Sequence, residues 1–487
     1  MSSLFGLSAT CLAEMIRNKT ISSREVVETH IFRIKRVNKR LNAVVKTRFD
    51  EARKEAQKVD EIVNCGDIRK DQPFLGVPCT IKESFCLAGM PNSSGLLSRK
   101  KHIARQDATT VQRIKQSGAI PLGVTNLSEV CMWMESYNPV YGITRNAYQH
   151  FRSAGGSSGG EAAIIASGAS PFGLGSDIGG SIRMPAFFNG IFGHKPTAGL
   201  VPNTGHFPDA EEGVSGIQTS GPLCRRAEDL MPLLKIMAGP DDIDSACYDI
   251  PLHPISSVDI DELTIHNCLM KPYIHVSLDL FSAQQQCIGA LKRGGAKIKD
   301  IKLIGNIKSV DLWFSMLQSV SNIPFGQILG NGKPIKPIEE LIKWMAGKPS
   351  HSFPAIITAI MDQFPNSKKI MKKNLKEIEK LKKYLIETIG KNGIMVYPSH
   401  PTMAPRNYIS AITPFRWGYT GIFNILGFPV TQVPLGLNKN NLPTGVQIVS
   451  IPGNDHLTIA VAMELEKIFG GWVIPENKKR DIIFKNQ

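Results

Sequence analysis

Apolar residues in the first 64 positions recur every three or four residues, the period of a helix. Ser22 followed by Glu25 reads as a capping box ahead of an amphipathic run, Val26–Val37, and a second helix is expected over 50–63. From Gly76 the apolar runs shorten. GVPCTIK and AIPLGV read as strands, with a helix over 108–117 between them and Gly118 where a helix end favours a left-handed residue. Residues 151–197 interrupt this rhythm with a dense run of Gly and Ser, and strand, turn and helix return over 220–238. From 393 the strand text resumes in GIMVYPS, PVTQVPL and GVQIVS, and a helix is expected over 455–469.

Residues 241–390 have a different texture of longer, lysine-rich helices and apolar loops. Leu375, Ile378, Leu381, Leu385 and Ile389 fall on one helical face opposite a face rich in lysine, as in a surface helix docked on a core. Length alone allows about three domains. The strand-rich blocks at both ends argue instead for a single α/β unit spanning 1–487, with 241–390 inserted as a helical, apolar segment that could form a substrate channel or cap.

Composition narrows the class. Of 487 residues, 42% are hydrophobic and 20% charged, too apolar for a disordered chain. Nine scattered cysteines with no C-x-x-C pair fit a reducing compartment and give no zinc motif, so neither metal nor cofactor is expected. The N-terminal residues do not read as a signal peptide or an anchor, and no run of 18 apolar residues occurs, so an intracellular protein, cytoplasmic or peripheral to a membrane, is expected. A formal charge of +15 suits an anionic surface, and lysines 368, 369, 372, 373, 376, 380, 382 and 383 concentrate it near the inserted segment. An anionic membrane surface fits better than nucleic acid, which is not expected as a partner, although solubility alone would account for the charge as well.

The candidate chemistry lies in GGSSGG (155–160) and GSDIGGSIR (175–183). A flexible linker has no need of Asp177 and Arg183, and the Gly-Lys-Ser/Thr of a phosphate loop is missing. GGSSG and GSSGG both match the G-x-S-x-G elbow of α/β-hydrolases. That fold needs a strand before the serine and a later histidine; NAYQHFRSA is a poor strand, and His400 and His456 are ordinary candidates. Ser181 is the alternative. The glycines before it let successive N–H groups converge on one point, as an oxyanion requires. Lys82, in the apolar context VPCTIKES, could serve as its base if neutral, or could simply be salt-bridged to Glu83.

GVPCTIKES, GGSSGG and GLGSDIGGSIRMPAFFNGIFGHKPT together resemble the amidase signature family, and the 24 residues from Ser157 to Ser181 match its spacing. The resemblance runs from about residue 5 to 475. Through AGMPNSSGL, NLSEVCMWMES, YPSHPTMAP, YTGIFNILGFPVTQVPLGLN and NDHLTIAVAMELEKIFGGWVIP it is strongest to the animal fatty-acid amide hydrolases of the second type. The resemblance implies a mixed sheet of about eleven strands covered by helices on both faces. It implies a catalytic set of Ser181 as nucleophile, Ser157 as bridging serine on a cis peptide, and Lys82 as neutral base. The N–H groups of Ile178, Gly179, Gly180 and Ser181 would form the oxyanion hole, with Ser158, Asp177 and Arg183 in support.

The implied activity is hydrolysis of lipid amides, namely primary fatty amides and N-acylethanolamines, through an acyl-enzyme. Leu312, Trp313, Phe314, Met316 and Leu317, then Ile338, Leu341, Ile342, Trp344 and Met345, are candidates for an apolar channel wall or a membrane-facing cap. Vertebrate members carry an N-terminal anchor that this sequence does not display, so peripheral membrane contact is expected in its place. A homodimer is compatible with the resemblance. The alternatives are a hydrolase of small or aryl amides, the amidase subunit of a tRNA-dependent amidotransferase, and a lipid-binding protein on the same fold. Retention of Lys82, Ser157 and Ser181 speaks against the last.

Overall fold

The computed structural model describes residues 2–69, 71–210, 212–268, 276–303 and 306–475; the rest of the 1–487 unit and of its 241–390 segment lies outside the described residues. The strands are β1 (Val44–Thr47), β2 (Pro78–Lys82), β3 (Ile120–Thr125), β4 (Tyr137–Asn138), β5 (Gly142–Ile143), β6 (Phe172–Asp177), β7 (Phe192–Lys195), β8 (Thr219–Cys224), β9 (Thr264–Cys268), β10 (Lys297–Ile301), β11 (Gly393–Pro398), β12 (Val430–Leu437) and β13 (Pro443–Val449). All but β4 and β5 form one eleven-stranded sheet in the order β1-β3-β2-β6-β8-β7-β12-β13-β11-β9-β10. The sheet is mixed: β2 runs parallel to β3 and β6, whereas β6, β8, β7, β12 and β13 alternate.

Helices cover both faces, and the period of two along a strand makes this visible. Ile394 and Val396 of β11 belong to one apolar cluster, with the helices Ser23–Leu41, Leu278–Arg293 and Asp455–Phe469. Met395 and Tyr397 belong to another, with Asn306–Val320, Lys368–Ile389 and Gly418–Leu426. Every residue of β2, β3, β6 and β8 is buried, as expected for central strands covered twice.

Local chemistry explains the elements. Ser22 accepts a hydrogen bond from the Glu25 N–H at 3.0 Å, capping Ser23–Leu41. The helix expected over 108–117 spans Thr109–Gln116, and Gly118 beyond it has φ +89°. A Cβ there would lie 2.7 Å from the Leu75 Cα, so both conformation and space require glycine. Ile378, Leu381, Leu385 and Ile389 are buried on one face of Lys368–Ile389, and Leu375 packs beside them.

The helical description of 241–390 needs correction, because the segment supplies β9 and β10 to the sheet. The edge strand β10 reads KIKDI, mostly exposed and charged, so it lacks the apolar run that marks a strand. Such charges also protect an unpaired edge against further pairing.

Candidate active site

Lys82 ends β2, and Ser176 and Asp177 end the parallel neighbour β6, so the three meet at the carboxyl edge of the sheet. Lys82 is fully buried. Its Nζ lies 2.7 Å from Ser157 Oγ and 2.9 Å from Ser176 Oγ. The salt bridge to Glu83 does not form, since alternation along the chain turns that carboxylate to the other side. There it accepts from the N–H groups of Ser93 and Ser94 and from the Ser93 and Tyr141 hydroxyls, at 2.6–2.8 Å.

Burial pulls the Lys82 amine below its ordinary value, with Cys131, Asp177 and Glu161 acting in the opposite sense. Burial pushes Glu161 up to about 8, so near neutral pH it is mostly protonated, while Asp177 is committed to Arg183. Cys131 shows a competing effect. Burial raises a thiol, but Lys82, His206 and Ser94 together draw it down to about 6. An ammonium–thiolate pair and a neutral amine–thiol pair are therefore rivals. Separating charge in a fully buried pocket costs several kcal/mol per ion, so we assign the neutral pair. Cys131 reaches this position because it and Val130 adopt φ +62° and +47°, unusual for side chains of their kind and fixed by hydrogen bonds to Ser128 and Ser94.

The Gly156–Ser157 peptide bond is cis. Ser157 precedes the helix Gly159–Ala166; no named strand leads into it, and neither His400 nor His456 hydrogen-bonds to the Gly–Ser block among the described residues, so the elbow arrangement is absent. Ser158 donates its N–H to the Ser181 carbonyl at 3.2 Å, joining the two serine loops.

Asp177 organises the loop that follows β6. Its oxygens take a fork from Arg183, Nη2 to Oδ1 at 2.9 Å and Nε to Oδ2 at 3.0 Å, together with the N–H groups of Gly180 and Ile182. Burial would raise this acid, but Arg183 and Asn424 hold it far below the carboxylate range. Arg183 in turn reaches the Thr420 carbonyl, Gln447 and Asn424.

The Gly180 N–H is thus occupied by Asp177, at 2.7 Å, and is not free for an oxyanion. Ile178, Gly179 and Ser181 remain as candidate donors. Two outside residues set the peptide planes, because C=O and the following N–H point in opposite directions across a trans peptide. Trp313 Nε1 donates to the Ile178 carbonyl at 2.7 Å, which aims the Gly179 N–H away from the indole. Thr420 Oγ1 shares its proton between the Gly179 and Trp417 carbonyls, at 2.7 and 2.8 Å, which turns the Gly180 N–H onto Asp177. Gly180 sits at φ +123°, and a Cβ would collide with Thr420.

Ser181 faces a cavity of about 90 Å³ whose walls include Cys131, Met132, Met134, Trp313 and Trp417. Cys131, Met132, Ile178, Phe314 and Thr358 are shared with a larger cavity of about 780 Å³. Of the expected channel residues, Trp313, Phe314 and Leu317 line these spaces, whereas Ile338, Ile342, Trp344 and Met345 form an exposed apolar face. Among the described residues no helix is long and apolar enough to cross a membrane, and no His, Cys, Asp and Glu side chains group as metal ligands.

A family model described as Amidase matches residues 25–459. Fatty-acid amide hydrolase 2 of Homo sapiens is 44% identical, over 96% of this chain and 90% of its own. Fatty-acid amide hydrolase 2-B of Danio rerio is 46% identical, over 97% and 91%. A solved structure described as fatty acid amide hydrolase superposes with a TM-score of 0.80 over 96% of this chain and 86% of its own, at 22% identity, a likeness of fold.

Asp177→Asn should cost about 3–5 kcal/mol at pH 7 by stranding the buried guanidinium. Pairing depresses Asp177 below its ordinary 3.8, so its contribution is complete above that value and is lost as the pH falls toward the folded one. The stability gap between wild type and variant should then narrow by about 1 kcal/mol by pH 3 in urea unfolding; a gap that widens with acid would contradict the pairing.

Proposed function

The chain belongs to the amidase family and is an amide hydrolase; on that premise we propose that its substrates are fatty-acid amides, both primary amides and N-acylethanolamines. The observation that carries the mechanism is the buried Lys82 amine, 2.7 Å from Ser157 beside the serine loop that presents Ser181 to the cavity. Ser181 Oγ attacks the amide carbonyl carbon while its proton passes to Ser157, whose own proton moves to the Lys82 lone pair. The carbonyl π pair moves onto oxygen, against the N–H groups of Ile178, Gly179 and Ser181; one such donor is worth about 10²–10³ in rate. Collapse breaks the C–N bond. The proton returns from Lys82 through Ser157 to the nitrogen, which leaves as ammonia or amine and leaves the acyl group on Ser181. Water then surrenders a proton along the same path to Lys82 and attacks the ester. Collapse breaks the bond between the acyl carbon and Ser181 Oγ, the proton returns through Ser157 to that oxygen, and the fatty acid departs.

The cavities support a long acyl chain. The space at Ser181 is walled by methionine and tryptophan and shares a wall with a volume in the range of sites for extended organic ligands. Ile323, Met361 and Phe364 line the larger cavity and are also exposed, which gives it an apolar mouth. The names of the two relatives point to the same substrate class. The exposed apolar face of Pro337–Met345 fits peripheral membrane contact through Ile338, Ile342, Trp344 and Met345. Its lysines 336 and 343 are paired with Glu339 and Glu340, so attraction to anionic lipid would come from the lysine-rich helix Lys368–Ile389.

Hydrolysis of saturated and unsaturated amides of graded acyl length should favour long chains. Ser181→Ala should lower turnover by about 10³ or more, and a fluorophosphonate should label Ser181. A preference for short or aryl amides would remove the lipid reading, and labelling at Ser158 would remove the nucleophile assignment. Flotation with phosphatidylserine vesicles tests the surface: the protein should rise with them, and failure to bind even these would eliminate membrane contact through this face.

A further inference from the structure

His206 is buried beside Ser176, the serine that also contacts Lys82, and its two ring nitrogens have unlike partners. Nδ1 lies 2.9 Å from the Pro208 carbonyl oxygen, which can only accept, so Nδ1 carries the proton. The Gln218 amide nitrogen is 3.4 Å from the same atom, too long to compete. In the neutral ring Nε2 is then a bare lone pair, and it faces Ser176 Oγ at 3.0 Å. The Cys131 thiol lies beside this histidine, but S–H is a weaker donor than O–H, so the hydroxyl takes the lone pair.

With its proton turned to His206, Ser176 offers Lys82 only lone pairs and must accept an N–H from the amine. A neutral amine has two N–H groups and one lone pair. One N–H goes to Ser176, and the other is available to the neighbouring Cys131 sulfur. The lone pair is left for Ser157, in the direction that proton abstraction requires. A Ser176 hydroxyl released from His206 could rotate and place its own proton on that lone pair.

We propose that His206 is a positioning residue which, through Ser176, orders the protons around Lys82 so that Ser157 is the only hydroxyl aimed at the base. This rests on the mechanism proposed above. The readout is the rate of Ser181 modification by a fluorophosphonate, which needs the activated serine but no amide substrate. His206→Leu removes the acceptor and should lower the maximal modification rate about tenfold, the worth of one hydrogen bond to be rearranged, with the half-saturating probe concentration unchanged. His206→Gln places an amide oxygen near the Nε2 position and should restore the rate to within about twofold of wild type. Ser176→Ala supplies a second line, since His206→Leu added to it should cause no further loss.

Failure of Gln to rescue, or losses that multiply in the double variant, would overturn the relay even if His206→Leu folds poorly by itself. If wild type does not react at Ser181, the mechanism falls, and the relay with it. If wild type reacts and all variants match it, only the relay falls.

Discussion

A lysine amine sealed from water, with no free carboxylate to hold its charge, is the constraint around which the carboxyl edge of the sheet is arranged. A charge there would cost several kcal/mol, and the neighbouring acids offset that cost only in part. Glu83 is turned away and held by Ser93, Ser94 and Tyr141. Asp177 is spent on Arg183, and burial keeps Glu161 mostly neutral against the opposing hydrogen bonds of Thr80 and Thr125. What remains around Lys82 is a shell of hydroxyls and one thiol, which can exchange hydrogen bonds without demanding an ion.

The second layer fixes the backbone donors. Asp177 and Arg183 bind the loop after β6 to the helix Gly418–Leu426 and to Gln447 of β13. Trp313 and Thr420 set the planes of two successive peptides from two different helices. The segment 241–390 thus reaches the site through one indole N–H, besides supplying two strands and part of the cavity wall. The helix Asn306–Val320 supplies both apolar cavity wall and the Trp313 N–H that holds the glycine loop, so in the proposed mechanism it couples substrate volume to the geometry of the chemistry.

Much of the site is contiguous text and could be read as such. Ser157, Ser181, Asp177 and Arg183 stand in two glycine-rich runs, and Lys82 ends a recognisable strand. Ser176 was within reach, because a polar residue beside Asp177 in a buried strand must find partners on the opposite face. Cys131, His206 and Thr420 were not legible, and Trp313 was legible only as a channel wall, since only the tertiary fold brings these residues to Lys82 and to the glycine loop. The Gly180 N–H illustrates the same limit: its residue type permits an oxyanion donor, but the neighbouring carboxylate occupies it. The eleven-stranded sheet came from the family resemblance, while β9 and β10 escaped the hydrophobic pattern because short, polar runs at the sheet edge carry little of it.

The central claim is that Lys82 works as a neutral amine, and the pH dependence of fluorophosphonate modification of Ser181 tests it most directly. The rate should rise through one ionisation whose midpoint lies below the ordinary lysine value of 10.5, because burial disfavours the ammonium. Lys82→Ala should abolish that ionisation and lower the plateau. A midpoint at or above the ordinary value, or the same midpoint in Lys82→Ala, would contradict the account.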